Sequence, residues 1–406
     1  MKKFRNYYLR AKLHKPLEMK KREFAFISMD KGIMFRHMKF QDVGSLRRYI
    51  LRNVPSHVYY SSAFYDFPDA PKMEQKVWKG AELIFDVDSD HLDLECQAKH
   101  DFWLCENCGY MSMRKMESCP KCGSTKIKAY KWVCDNCIEK AKNEVEKLVF
   151  DFLINDFGIN EDSISVKFSG HRGFHVRVMD ERLYGMDQHA RREIVGYVTG
   201  LDIDPSIHGI NEDLFRGEHG LRPPSIKDPG WRGRIVRYLI RLLDDIDENS
   251  RIEGLKRSQV LKICENRESI KKSLSSSNPN YRIVKGLGAK SWMSLTLEAV
   301  KRYGVKIDAP VTADIKRLIR MPGTIHGKTG LIVKEVDVES IESFDPFVDA
   351  VAFRGKKQKS IRIDVYTPKF RILDEVYGPY KPGDVVEVPE GAAIFLVSKG
   401  RGTVLR

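Results

Sequence analysis

Residues 81–90 read Ala-Glu-Leu-Ile-Phe-Asp-Val-Asp-Ser-Asp. The apolar run from Leu83 to Val87 predicts a buried strand that ends at polar residues. Asp86 and Asp88 are two apart, so on a strand both side chains leave the same face. Two carboxylates on an otherwise apolar strand repel each other and are poorly solvated unless something positive sits between them. A divalent cation such as Mg²⁺, which takes a few carboxylates plus water and substrate phosphate, answers that need. The plainer reading is a strand end running into a solvated loop, since Asp90 continues the series.

Downstream, Ile164–Phe168 and Phe174–Val178 read as two short strands joined by the turn Ser169-Gly-His-Arg-Gly173. Glu139–Phe157 has apolar residues at helical spacing. Residues 187–305 read as mainly helical, with helices at Arg191–Tyr197, Arg234–Ile246, Ser258–Ser273 and Ser291–Tyr303. Residues 311–323 read as a short basic helix ending before Pro322, and 331–336 as a strand. Upstream, Arg22–Ile27 and Gly32–Arg36 are short extended runs. Gly286-Leu-Gly-Ala-Lys-Ser291 hints at a phosphate loop, but Val284 and Ala289 stand where G-x-x-x-x-G-K-S requires glycine.

The chain has 406 residues and 70 Lys+Arg against 56 Asp+Glu, a formal charge of +14 that favours an anionic partner, nucleic acid first. With 42% hydrophobic residues it is globular rather than disordered. No apolar run approaches the roughly 18 residues of a membrane span, and the basic start lacks the apolar stretch of a secretory signal. Of the 8 cysteines, 7 lie between Cys96 and Cys137. Cys105-x-x-Cys108 and Cys119-x-x-Cys122, each followed by glycine, form a zinc-ribbon pattern in which thiolates on two tight turns close a tetrahedron. Cys264 reads as an ordinary core residue.

The Asp-Val-Asp strand, the Ser-Gly-His-Arg-Gly-Phe-His turn and the run Asp308-Ala-Pro-Val-Thr…Arg320-Met-Pro-Gly-Thr-Ile-His326 occur in that order. Together they resemble the catalytic small subunit of archaeal and eukaryotic-type DNA primases, from about Arg22 to Pro346. The resemblance implies an α+β primase-polymerase core with a mixed or antiparallel sheet, spanning residues 1–95 and 138–355 around a zinc-binding insert, 96–137. It implies that Asp86, Asp88 and Asp308 hold two catalytic ions, Mg²⁺ or Mn²⁺. It implies that Ser169, Arg172 and His175 contact a nucleoside triphosphate, with Arg320 and His326 completing a phosphate clamp. His171 occupies a slot that is basic or absent in relatives, and Arg36 matches a basic position near the triphosphate. The family's zinc knuckle maps to Cys96, His100, Cys134 and Cys137. The ribbon quartet is then a second site, although Cys105 and Cys108 could instead serve the first.

By the same resemblance the partners are single-stranded template DNA, nucleoside triphosphates and a primase large subunit, in the cytoplasm with the nucleoid. A repair- or plasmid-type primase-polymerase shares this core. A non-catalytic zinc-ribbon subunit that only binds nucleic acid is the reading of another class. The tail, 356–406, changes character. Ile361–Tyr366, Asp384–Val388 and Ala392–Val397 read as short β-runs between Pro/Gly turns, and Val376-Tyr-Gly-Pro-Tyr-Lys-Pro-Gly-Asp resembles the small β-rich B-domain of the archaeal GINS replication complex. On this reading the tail docks replisome partners and lies outside the catalytic apparatus; the equal alternative is a β-cap on the core.

Overall fold

The computed structural model describes residues 1–92, 94–216 and 222–405. They form two compact units. The larger comprises residues 1–149, 159–191 and 307–406, and the smaller 150–158 and 192–306.

Two four-stranded antiparallel sheets organise the larger unit. The first has the order Leu318–Arg320, His57–Ser61, Phe24–Ile27, Met34–Met38. Its apolar face is covered by the helices Lys2–Arg10 and Val43–Asn53 through Phe4, Tyr8, Leu46, Ile50, Phe24, Phe26 and Tyr60, all buried. The second helix starts at Asp42 because its carboxylate accepts the Ser45 amide at 2.7 Å, a capping box that satisfies donors left free in the first turn.

The second sheet has the order Lys334–Val336, Ile164–Phe168, Gly173–Val178, Leu83–Asp88. Leu83, Phe85 and Val87 are fully buried on one face, toward the helix Asp135–Glu146. Ile84 joins the core beneath the first sheet, and Asp86 and Asp88 follow it on the same face. A buried ion cluster ties the two sheets together. Glu82 binds Arg22 at 2.6 Å and Arg177 at 2.5 Å, and Arg22 also donates to the Ser61 and Ser62 carbonyls at 2.8 Å. Each carboxylate oxygen and most guanidinium donors find a partner there, which is the condition for burying such charges.

Three segments fold differently from their sequence reading. Residues 311–323 are not one helix. A short helix, Ala309–Ala313, is followed by the strand Leu318–Arg320, which pairs with His57–Ser61 and buries Ile319. An edge of the first sheet was available to that Leu-Ile-Arg run, and ladder bonds to it override the local preference. Residues 392–397 form no strand but lie in the helix Glu390–Ser398. A short apolar run carries no period of its own. Here Ala392, Phe395 and Leu396 are buried at i, i+3 and i+4. Ser258–Ser273 is divided at Asn266 into Arg257–Glu265 and Arg267–Leu274. The tail thus mixes a three-stranded sheet (Val385–Pro389, Gln358–Ile363, Gly402–Val404) with a helix, and it belongs to the larger unit.

The smaller unit is helical, built on Gly230–Asp245, Arg257–Glu265, Arg267–Leu274 and Ala289–Tyr303. Arg234 anchors it. Its guanidinium lies 3.9 Å from the Phe152 ring centre and binds Asp156 at 2.9 Å.

Candidate active site and metal centres

The register of the second sheet sets the site. Asp86 faces His175 and Asp88 faces Gly173 across the ladder. His175 Nε2 lies 3.6 Å from Asp86 Oδ1. Gly173 cannot carry a side chain, because a Cβ there would sit 2.3 Å from the Val87 carbonyl oxygen. The Asp308 amide donates to the Asp86 carbonyl at 2.8 Å, which docks the late acid beside the strand. Burial first, then the charges of Asp88 and Asp308, push the Asp86 carboxyl up to about 7, while Arg320 and Arg317 oppose the rise. Carboxylates crowded against one another at the end of a buried strand are an all-oxygen donor set short of positive charge. That fits hard divalent cations.

The turn after Phe168 supplies donors. The Ser169 amide closes it onto the Gly173 carbonyl at 2.9 Å, and Gly170 has φ +80°. Arg172 Nε donates to Asp88 at 3.1 Å and Nη2 pairs with Asp90, but Nη1 is buried without a partner. Ser169 Oγ, His175 Nδ1, Arg320 Nε and His326 Nε2 are likewise buried and unpartnered. Buried polar atoms are normally satisfied, so five orphans around one turn leave hydrogen-bonding capacity free to meet a polar ligand.

His326 comes from the loop after Leu318–Arg320. Its ring stacks on His171 at 5.1 Å and meets His57 edge-on at 4.5 Å. Burial, then the charge of Arg320, keeps it neutral. Its Nδ1 accepts the Lys328 amide at 3.3 Å. The neutral ring therefore carries its proton on Nε2, the orphaned atom, and presents a donor. His57 and His175 are each pushed down to about 3, by burial first and Arg320 second. The surroundings are thus strongly cationic and hold neutral imidazoles, an arrangement suited to a polyanion.

Asp86, Asp88, Asp308, Ser169, His171, Arg172, His175, Arg320 and His326 are thus brought into one neighbourhood. Arg36 is not joined to it by any bond among the described residues. Its Nε binds Glu23 at 3.0 Å, beside Lys76, whose Nζ lies 2.9 Å from the same carboxylate. His57, Lys328 and Lys399 were missed by sequence reasoning. A single histidine at the start of a strand gives no signal. Lys328 could have been found from its place two residues after His326. Lys399 lies in the tail that the motifs left out.

The two cysteine quartets assemble as partitioned by sequence. Cys96, His100, Cys134 and Cys137 form one group, and Cys105, Cys108, Cys119 and Cys122 the other, each with ligand atoms within 4.8 Å of one another. Sulfur separations run from 3.5 Å for Cys96–Cys137 to 3.7 Å for Cys134–Cys137, and are 3.6 Å for Cys105–Cys122. A tetrahedron with bonds of about 2.3 Å has edges near ~3.8 Å, so both groups could hold a structural zinc ion. His100 turns Nε2 toward Cys137 at 3.3 Å and Nδ1 toward Asp101 at 2.9 Å. The carboxylate fixes which nitrogen is free to ligate. Asp101 also accepts the Trp132 amide at 2.8 Å.

Comparison with known proteins agrees with this geometry. A family model described as DNA primase small subunit matches residues 126–338. A DNA primase small subunit of Methanothrix thermoacetophila is 35% identical over 98% of this chain and 96% of its own length. Those of Archaeoglobus fulgidus and Nitrosopumilus maritimus are 33% and 31% identical, over 98% and 99% of this chain and 96% of each relative. On that likeness over nearly its whole length, the chain belongs to the DNA primase small subunit family.

Proposed function

We propose that this chain is the catalytic subunit of a DNA primase, a template-directed nucleotidyltransferase that builds short primers from nucleoside triphosphates. One observation carries the reading. Asp88 and Asp308 crowd around Asp86, and five unpartnered buried polar atoms stand within the same turn and its neighbours. A protein that only bound nucleic acid would have no use for the crowded acids.

In the reaction a 3′-hydroxyl gives up its proton to solvent and its oxygen bonds to the α-phosphorus of the incoming nucleotide. The bond from that phosphorus to its bridging oxygen breaks, and pyrophosphate leaves. Asp86, Asp88 and Asp308 would hold the divalent cations, Mg²⁺ or Mn²⁺, which when bound supply Lewis-acid activation and charge neutralisation. The chain's own groups bind and orient the triphosphate. Arg172 Nη1 and Arg320 Nε offer charged donors, and Ser169 Oγ and His326 Nε2–H offer neutral ones. The buried, fixed positions of these donors mean little reorganisation as charge builds on the leaving group.

The zinc quartets hold the insert's turns in place and leave no position open for substrate, which is a structural role. Family membership supports single-stranded DNA as template, a large subunit as partner, and a place beside the DNA in the cytoplasm. The test is primer synthesis on single-stranded DNA with labelled nucleotides, wild type against Asp86→Ala. Equal product from both would overturn the assignment.

A further inference from the structure

The tail reaches the triphosphate site. Lys399 follows the helix Glu390–Ser398, and its Nζ lies 2.9 Å from His171 Nε2. His171 in turn stacks on His326. The placement is built. Phe395 stacks on Phe370 at 5.4 Å and meets Trp132 edge-on at 5.6 Å, which pins the helix. The Lys399 amide closes the helix end onto the Phe395 carbonyl at 2.9 Å, and Gly400 turns the chain with φ +65°. The Lys399 ammonium then lies 5.5 Å from the centre of the Trp132 ring. Arg401 holds the neighbouring aromatic faces of Phe102, Tyr130 and Trp132, at 4.8–4.9 Å.

No carboxylate bonds to Lys399 among the described residues. Its nearest charged company is cationic, with Arg172, Arg401 and Lys328 outweighing Asp101, and burial with these charges pushes it down to about 7. A lysine anchored this firmly among like charges, beside five orphaned polar atoms, lacks an anion. We propose that Lys399 is a further triphosphate-binding residue, delivered by the C-terminal segment and aimed by the Trp132 platform. The tail is then a wall of the nucleotide site rather than an appendage. This rests on the triphosphate occupying the turn that begins at Ser169.

The test is nucleotide binding to the full chain by calorimetry, ATP against AMP, for wild type, Lys399→Ala, Lys399→Met, Lys399→Arg and Arg172→Ala. Lys399→Met keeps the aliphatic stem on Trp132 if the alanine variant folds poorly, and thermal unfolding verifies each variant. One lost charge-assisted contact predicts about tenfold weaker ATP binding, with AMP changed less than about twofold and Lys399→Arg within about threefold of wild type. Lys399→Met binding ATP like wild type while Arg172→Ala weakens it would overturn the proposal and leave the clamp standing. Unchanged ATP binding in Arg172→Ala would sink the clamp itself. Equal weakening of ATP and AMP by Lys399→Met would show a merely structural lysine and also overturn it.

Discussion

A methyl group added at Gly170 would lie 2.6 Å from the Cβ of His326. The turn and the histidine loop are therefore in backbone-level contact, held also by Thr329, whose hydroxyl donates to the Gly170 carbonyl at 2.5 Å. Gly170→Ala is expected to move His326 out of line and to strain a backbone at φ +80°. Primer synthesis should fall at least about tenfold, with the melting temperature lowered by only a few degrees. Steady-state kinetics beside calorimetric melting checks both halves.

The acids should trade stability for function. Asp86 is held beside Asp88 and Asp308 against their repulsion. Asp86→Asn keeps the shape and removes one charge. Without added divalent metal, the variant should melt higher than wild type by about 2–5 °C, while primer synthesis is lost. A lower melting temperature for Asp86→Asn would show that the acids are not in conflict.

Elemental analysis of the purified chain should find two zinc ions. Cys119→Ser should remove one, and Cys134→Ser the other. The two losses should differ in effect. The quartet of Cys134 includes His100, which is tied through Asp101 to Trp132 and thence to the platform under Lys399. Nucleotide affinity should therefore drop in Cys134→Ser and stay near wild type in Cys119→Ser. The reverse order would contradict this link.

Arg22→Ala should be costly. It leaves Glu82, which is fully buried, with Arg177 alone, and strips partners from the Ser61 and Ser62 carbonyls. Breaking a buried charge cluster on one side costs about 3–5 kcal/mol. Denaturant unfolding should show that loss, and a change under about 1 kcal/mol would mean the cluster is dispensable.

Glu335 gives a pH signature. The hydrogen bond from His14 at 3.2 Å, then the charge of Lys167, hold its carboxyl down at about 2, below the ordinary 4.5. A depressed carboxyl contributes stability above its unfolded value and loses it as pH falls through the folded one. The melting-temperature gap between wild type and Glu335→Gln should be largest above pH 4.5 and close toward pH 2. Because the side chain is 50% exposed, the gap should be small and shrink in salt.

The parts legible in the sequence were those with a short-range rule behind them. An apolar run marked Leu83–Val87, and paired cysteines marked the ribbon quartet, while the resemblance supplied the quartet of Cys96, His100, Cys134 and Cys137. The ordered motifs picked out nine residues that the fold brings into one neighbourhood. What stayed hidden depended on partners far along the chain. Leu318–Arg320 becomes a strand only because His57–Ser61 offers an edge, and Ala392–Val397 becomes a helix only because Trp132 and Phe370 offer a surface. His57 and Lys399 carry no motif, and only the folded chain places them beside His326 and His171. Arg36, whose motif match is short, pairs with Glu23 in the fold.

The larger unit is assembled from three separate stretches of chain, the last of them residues 307–406. During synthesis the Asp86 strand leaves the ribosome more than two hundred residues before Asp308, and three hundred before Lys399. The buried Arg22–Glu82–Arg177 cluster can form early, but the edge strand Leu318–Arg320 and the helix over Trp132 arrive only at the end. Until then the unit exposes an unpaired sheet edge and an aromatic surface, both of which invite wrong partners. A nascent chain stalled near residue 300 should therefore be a strong chaperone client, and emergence of residues 307–406 should be the event that ends that dependence.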